Sequence, residues 1–269
     1  MEQTTRLDWH PALADPTGRR ERKSRRIGQT MIIDKGMGLH AFEDMIRISS
    51  PYIDFIKLGF GTSVLYPIPL LRRKIDLAKE QNIHIMPGGT LLEVAVARKA
   101  VDSFFQTVKG VGFTAIEVSD GTIDIGRNTR SSLILRAMDE GLTVVTEYGK
   151  KLRGSTVELK DLVETVQIDT ELGALFVTIE ARESGIDVGI FDEFGQCKED
   201  DLKSIIDAIP DKSRLMWEAP LKLQQVNLLR NIGPDLNIGN VAPDDVLSLE
   251  ALRRGLRSDT FHLGMTTLV

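Results

Sequence analysis

Short apolar runs alternate with longer amphipathic stretches from residue 29 onward. The runs Gln29 to Asp34, Tyr52 to Leu58, Ile83 to Met86, Phe113 to Val118, Thr143 to Glu147, Ala174 to Glu180, Arg214 to Glu218 and Leu236 to Asn240 have the length and composition of strands. The segments between them carry apolar residues at helical spacing. His40 to Ile48 places Phe42, Met45 and Ile46 on one face, and Pro69 to Glu80 does the same with Leu70, Leu71, Ile75 and Leu77. Leu91 to Lys109, Asn128 to Glu140, Val157 to Leu172, Glu199 to Ala208, Leu221 to Ile232 and a stretch within Pro243 to Leu256 continue the series. Gly141 and Gly173 stand just past two of these helices, where a left-handed cap favours glycine. Most of the strands are apolar throughout rather than alternating, as in a parallel sheet covered on both faces. Strand and helix thus alternate eight times with no hairpin signal, which predicts an α/β fold, a single (β/α)8 TIM-type barrel. An open doubly wound sheet is the competing arrangement, but the turn after the first strand, Asp34-Lys35-Gly36-Met37-Gly38, lacks its G-x-G-x-x-G fingerprint.

Length agrees with this pattern, since 269 residues of which 42% are hydrophobic suffice for one large core, and a barrel of this type needs about 250. Residues 29–269 are read as the barrel, preceded by a basic arm over 1–28. That arm holds seven basic and four acidic side chains within a chain of net charge −5, so the body carries −8. Six of the eight residues from Arg19 to Arg26 are cationic. No aromatic side chains interleave with them for base stacking, so they are read as a flexible, solvated arm rather than a nucleic-acid surface. The single cysteine, Cys197, has no intramolecular partner, and four histidines do not make a zinc cluster. A reducing, cytoplasmic setting is expected. No apolar stretch has the length of a membrane span and no secretory signal is present, so no membrane partner is expected.

In a parallel barrel the chemistry gathers at the carboxyl ends of the strands, so residues scattered through the sequence converge on one mouth. The cations at those ends are Lys35, Lys57, Lys150, Lys151 and Arg182, and the carboxylates are Asp34, Glu117, Asp120, Glu147, Glu180, Glu183 and Glu218. Gly88, Gly89, Gly121, Gly239 and Asn240 are candidate backbone donors. This mixture suits a small, highly charged substrate bound with a divalent metal, because hard carboxylate oxygens are the ligands Mg²⁺ takes. Glu117, Glu147 and Glu180 end three successive strands and would repel one another unless a cation lay among them. Ion pairing with Lys57, Lys150 or Arg182 is the alternative use of each. Asn237-Ile238-Gly239-Asn240 closes the eighth strand, beside the loops where barrels often bind phosphate, and Pro87-Gly88-Gly89-Thr90 is a weaker candidate for the same role. His84 lies within a strand and reads as packed. No Ser-His-Asp or Cys-His arrangement is evident, which leaves lysine as an acid, an anion contact or a Schiff-base nucleophile.

These strand ends resemble those of the phosphosulfolactate synthase family. The segments that carry the likeness are Asp34-Lys35-Gly36, Tyr52-Ile53-Asp54-Phe55-Ile56-Lys57 with Gly59-Phe60-Gly61-Thr62-Ser63, Pro87-Gly88-Gly89-Thr90 and Glu117-Val118-Ser119-Asp120-Gly121. They continue with Thr146-Glu147-Tyr148-Gly149-Lys150-Lys151, Glu180-Ala181-Arg182-Glu183-Ser184-Gly185 and Leu252-Arg253-Arg254-Gly255-Leu256-Arg257, in order, across about residues 29 to 262. The resemblance implies a (β/α)8 barrel and a Mg²⁺-dependent, lyase-class enzyme. Such an enzyme adds sulfite to phosphoenolpyruvate, giving (2R)-phospho-3-sulfolactate, toward coenzyme M in methanogens or sulfolactate in some bacteria. It implies an enediolate stabilised by Mg²⁺ on Glu117, Glu147 and Glu180 and protonated by Lys151, with Lys150 as the fallback. Lys35, Lys57 and Arg182 would hold the phosphate, carboxylate and sulfite, with Gly88, Gly89, Thr90, Gly239 and Asn240 as further phosphate contacts. A homo-oligomer is compatible with this reading. Two other functions stay open: a lysine Schiff-base aldolase using Lys57, and a noncatalytic stress-associated role like that of related plant proteins.

Overall fold

A computed structural model describes residues 9–265 of the chain. Eight strands, β1 (Thr30–Asp34), β2 (Phe55–Leu58), β3 (His84–Pro87), β4 (Ala115–Val118), β5 (Thr143–Tyr148), β6 (Val177–Ile179), β7 (Leu215–Glu218) and β8 (Asn237–Val241), form one sheet in the order β3-β2-β1-β8-β7-β6-β5-β4. Every registered pair is parallel, and β1 pairs with both β2 and β8. The predicted barrel is therefore present.

The sheet closes between β3 and β4 through Thr114, whose N–H donates to Ile85 O (3.2 Å) while its hydroxyl accepts from Ile85 N–H (2.9 Å). His84 and Gly88 donate instead to β2, at Asp54 O and Leu58 O. Strand alternation thus turns Ile85 and Pro87 toward β4, and Pro87 has no N–H to extend that seam.

The helices are α1 (Pro11–Ala14), α2 (Leu39–Ser49), α3 (Ile68–Glu80), α4 (Gly89–Ala97), α5 (Val101–Val111), α6 (Arg127–Asp139), α7 (Leu159–Glu171), α8 (Glu199–Ala208), α9 (Lys222–Ile232), α10 (Val246–Arg253) and α11 (His262–Met265). The helix expected over Leu91 to Lys109 is two helices. Lys99 takes a left-handed backbone (φ 57) and Ala100 N–H bonds back to Ala95 O, ending one helix before α5 begins. Among the described residues no helix is long and apolar enough to cross a membrane.

Side chains on the two faces of each strand enter different cores. Ile32, Ile56, Ile85, Ile116 and Val144 pack outward against helices. Met31, Phe55, Met86, Ala115, Val145, Phe176 and Met216 fill the barrel interior. Because the strand period is two, the residue two positions beyond each inward apolar residue also points inward, one layer nearer the mouth. That step takes Phe55 to Lys57, Ala115 to Glu117, Val145 to Glu147 and Met216 to Glu218, so an apolar plug supports a layer made of charge.

The basic segment does not behave throughout as a solvated arm. Arg20 Nε bonds both carboxylate oxygens of Glu250 (3.0 and 2.9 Å), Arg25 Nε bonds Asp54 Oδ1 (3.2 Å), and Lys23 Nζ donates to Ser50 O and Gln81 O. These side chains cover the amino-terminal end of the barrel, while Arg19, Arg22 and Arg26 are exposed. The partners lie far along the chain, which is why charge density alone misread the segment. Residues 1–8 of the expected arm fall outside the described residues.

Candidate active site

At the carboxyl ends of the strands lies a cavity of about 350 Å³ whose wall includes Lys57, Glu117, Glu147, Lys151, Glu180, Arg182 and Glu218. Lys57 stands at its base, 5% exposed, with its ammonium 3.1 Å from Glu117 Oε1, 2.9 Å from Glu218 Oε1 and 3.5 Å from Glu147 Oε2. Burial opposes the charge on Lys57, but Glu117, Glu218 and Glu147 together overcome it and raise its pKa well above the ordinary lysine value. Lys151 forms the second hub, with its ammonium 2.9 Å from Glu147 Oε1, 3.3 Å from Glu180 Oε2 and 3.3 Å from the Thr90 hydroxyl. Burial again opposes its charge, and Glu147 and Glu180 raise its pKa above the usual lysine range.

The carboxylates are held unequally. Burial would raise Glu147, yet the ammonium groups of Lys151 and Lys57 prevail and bring it down to about 2. Glu180 goes the other way, because burial and then the charges of Glu147 and Glu218 raise it well above the ordinary range. Glu117 is also raised, chiefly by burial, against the pull of Lys57. Four buried carboxylates thus share two lysines, and the surplus negative charge is carried as increased proton affinity.

Backbone groups fix the carboxylate directions. Glu117 Oε2 accepts from Gly89 N–H (2.7 Å), Glu218 Oε2 from Ala181 N–H (3.0 Å) and Glu180 Oε1 from Arg182 N–H (2.5 Å). Arg182 and Asn240 both have left-handed backbones, at φ 59 and 54, where a non-glycine residue is uncommon. Asn240 is 4% exposed, lines the cavity, and its Oδ1 has no hydrogen-bond partner among the described residues. A buried acceptor without a protein partner in a cavity wall is open to a donor from a ligand or a water.

Several expected contacts are placed differently. Lys35 is exposed, with its ammonium over the Phe60 ring (5.8 Å), and is not part of the cavity wall. Lys150 points away, donating to Asp120 O (2.8 Å) and Asp124 Oδ1 (2.6 Å). Gly239 faces inward below the cavity, where an added Cβ would lie 3.0 Å from Met31 Cε and 3.2 Å from Met216 Sδ. Gly88 and Gly89 do line the cavity, but their N–H groups are committed to Leu58 O and Glu117, leaving Thr90 as the member of that turn with a hydroxyl beside Lys151. Asp34 is bound by Lys74 and by the N–H groups of Gly36 and Met37, and serves the β1 turn. His84 stacks on Phe55 (centroids 5.0 Å apart) at the other end of the barrel, as its packed reading required.

Two carboxylates matter more than the sequence suggested. Glu218 belonged to the strand-end group but was given no role, and it is a principal partner of Lys57. Glu93 had no place in the expected site. It is 1% exposed on α4 and accepts from Ser119 Oγ (2.6 Å) and from the N–H groups of Thr122 and Ile123 (2.8 Å each), holding the loop after β4. The available signal was a lone acid between the core residues Leu92 and Ala95 on an apolar helix.

The closeness of α4 to this loop makes Gly89 intolerant of a side chain. A Cβ there would meet Ser119 and lie 3.1 Å from Glu117 Oε2. Gly89→Ala is expected to cost about 1–3 kcal/mol by overpacking, read as a lower urea midpoint, and an unchanged midpoint would show that the loop yields freely.

Among the described residues no group of three or more His, Cys, Asp or Glu side chains is gathered as a metal centre. Lys57 occupies the space between Glu117, Glu147 and Glu218, whereas Glu147 and Glu180 adjoin on either side of Lys151.

An eight-stranded parallel barrel with buried charge at its strand carboxyl ends is the layout of an α/β-barrel enzyme. Solved structures agree on the fold. The YdjI aldolase from Escherichia coli K12 matches with a TM-score of 0.53 at 12% identity, covering 90% of this chain and 86% of that one. The 3-hexulose-6-phosphate synthase from Salmonella typhimurium matches with a TM-score of 0.51 at 14% identity, covering 88% and 95%. Sequence comparison goes further: the (2R)-phospho-3-sulfolactate synthase (ComA) family matches residues 18–259. The phosphosulfolactate synthase of Methanothermobacter thermautotrophicus is 43% identical over 90% of this chain and 94% of its own length. That of Bacillus subtilis is 39% identical over 91% and 96%. The chain belongs to the phosphosulfolactate synthase family.

Proposed function

We propose that this chain is a phosphosulfolactate synthase of the carbon-sulfur lyase class, adding sulfite to phosphoenolpyruvate to give (2R)-phospho-3-sulfolactate. The observation that carries the proposal is the sorting of cations at the mouth, within a chain of this family. Lys57 is consumed in ordering carboxylates, while Lys151 and Arg182 line the open volume where an anionic substrate would lie.

In this reaction the sulfur lone pair of sulfite forms a C–S bond to the terminal methylene carbon. The π electrons of the alkene move into the carboxylate as an enediolate, and the neighbouring carbon then takes a proton from one face. Lys151 supplies that proton and its amine is recharged from solvent. Its raised pKa is no obstacle, because an enediolate carbon is a far stronger base than any amine. Arg182 and the Thr90 hydroxyl orient the anions.

The site's chemistry fits Mg²⁺, which takes one or two carboxylates and keeps several waters. Glu147 and Glu180, which adjoin in the cavity wall around Lys151, would hold it. Glu117, expected as a third ligand, makes no ion pair with Lys151 among the described residues and is held instead by Lys57 and the Gly89 N–H. When bound, Mg²⁺ supplies positive charge against the developing enediolate.

A Schiff base at Lys57 finds no support, because the nucleophile must be a neutral amine and three glutamates hold this one charged. Purified protein given phosphoenolpyruvate, sulfite and Mg²⁺ is expected to form phosphosulfolactate, detected by mass spectrometry, and EDTA is expected to abolish it. No product from neutral to mildly alkaline pH would sink the proposal and favour a noncatalytic member of the family.

A further inference from the structure

We propose that the amino-terminal end of the barrel carries a second ligand site, separate from the mouth, that takes a small phosphomonoester bearing a free hydroxyl group. A cavity of about 630 Å³ opens there, beneath the starts of β1 to β4, and its wall includes Lys23, Arg25, Gln29, Asp54, Lys79 and His84. Its charges do not cancel. Arg25 and Asp54 neutralise each other at 3.2 Å, and the other oxygen of Asp54 accepts from Thr30 N–H at 2.9 Å. Lys23 has no carboxylate partner among the described residues. Its ammonium donates to Ser50 O (2.9 Å) and Gln81 O (2.6 Å), which leaves one of its three N–H groups free. Those two bonds also cover carbonyls that would otherwise repel an anion. Lys79 is exposed in the last turn of α3, and its side chain has no hydrogen bond or ion pair among the described residues. Burial brings Lys23 down to about 8, so it stays charged near pH 7, and with Lys79 in the same wall the cavity carries an excess of positive charge that complements a phosphomonoester dianion.

Gln29 supplies the second half of the recognition. It is 8% exposed, its Nε2 donates to Arg25 O at 3.0 Å, and its Oε1 has no partner among the described residues. A buried amide oxygen left unpaired costs about 1–3 kcal/mol, and the group that satisfies it must be a donor. A hydroxyl on the same molecule as the phosphate fits, because it brings a donor without adding to the positive charge. His84 lines the same wall, stacked on Phe55, and burial lowers its pKa, so its ring is neutral near pH 7 and serves as a reporter rather than a third cation.

The test is a titration of the full chain with glycerol 3-phosphate, following the ring-proton NMR signals of His84, assigned with a His84→Asn variant. Saturable shifts are expected, and they should persist in Arg182→Ala, which alters only the mouth. Lys79→Glu, at an exposed position where the fold should be undisturbed, is expected to weaken binding about tenfold or more by reversing one of the two charges. Its melting temperature provides the control. Unmoved His84 signals up to about 10 mM ligand, a concentration that would detect even millimolar affinity, overturn the proposal, as does undiminished binding in Lys79→Glu. Equal affinity for inorganic phosphate overturns the hydroxyl assignment. None of these readouts depends on turnover at the mouth, so the site and the proposed synthase activity stand or fall separately.

Discussion

Lys57→Met is expected to destabilise the fold by about 3–5 kcal/mol at neutral pH, the range for removing one partner from a buried ion pair. The side chain is close in volume, so packing changes little and the effect is electrostatic. Without the ammonium, Glu117, Glu147 and Glu218 keep their burial and lose the cation they converge upon. The folded-state pKa of Glu117, already raised by burial, then loses the pull of Lys57 and rises further above that of the unfolded chain. A group shifted in that direction favours folding when it is protonated and ceases to do so as the pH rises through its folded pKa. The deficit of the variant relative to the wild type should therefore shrink on acidification from pH 8 toward pH 5. Urea denaturation at several pH values reads this directly. A variant as stable as the wild type at neutral pH would mean that Lys57 does not organise the charge layer.

Lys151→Ala is expected to lower the rate of phosphosulfolactate formation about a hundredfold or more, the scale for loss of a general acid. Lys150→Ala should leave the rate within a few-fold of wild type, because that ammonium is turned to Asp124 and the carbonyl of Asp120. The proton-transfer role places the loss in kcat; a rise in KM alone would make Lys151 an anion contact and reassign the acid. The backbone explains why adjacent lysines differ so much. Gly149 takes a positive φ of 124 against Glu180, and Lys151 N–H bonds Gly121 O at 3.0 Å, turning the second lysine inward as the first turns out.

That pair shows where sequence reading ends. Strands and helices were legible because periodicity is a local property, and strand-end carboxylates were legible because barrel topology gathers them wherever they lie in the chain. Family resemblance ranked Lys151 above Lys150, but spacing alone could not, since the path of one loop decides which lysine enters the mouth. Gly88 and Gly89 were visible as a turn, yet whether an N–H is free for a ligand depends on what else reaches it, and Glu117 reaches Gly89 from 28 positions away. Arg20 finds Glu250 across 230 positions. Pairings of that kind are properties of the closed barrel and have no trace in local composition. Glu93 lay between these cases, visible as an anomaly on an apolar helix but without a partner to give it meaning.

The β3–β4 closure carries a further consequence. A parallel barrel escapes intermolecular strand pairing only because its two terminal strands find each other; left apart, they are open edges that invite another chain. Here the hydroxyl of Thr114 meets Ile85 where a ladder carbonyl would ordinarily stand, and Pro87 adds no donor farther along. The two edges are packed together, and Thr114 supplies the hydrogen bonds between them at Ile85. Thr114 makes that link at the end of the barrel remote from the cavity where the chemistry is proposed to occur.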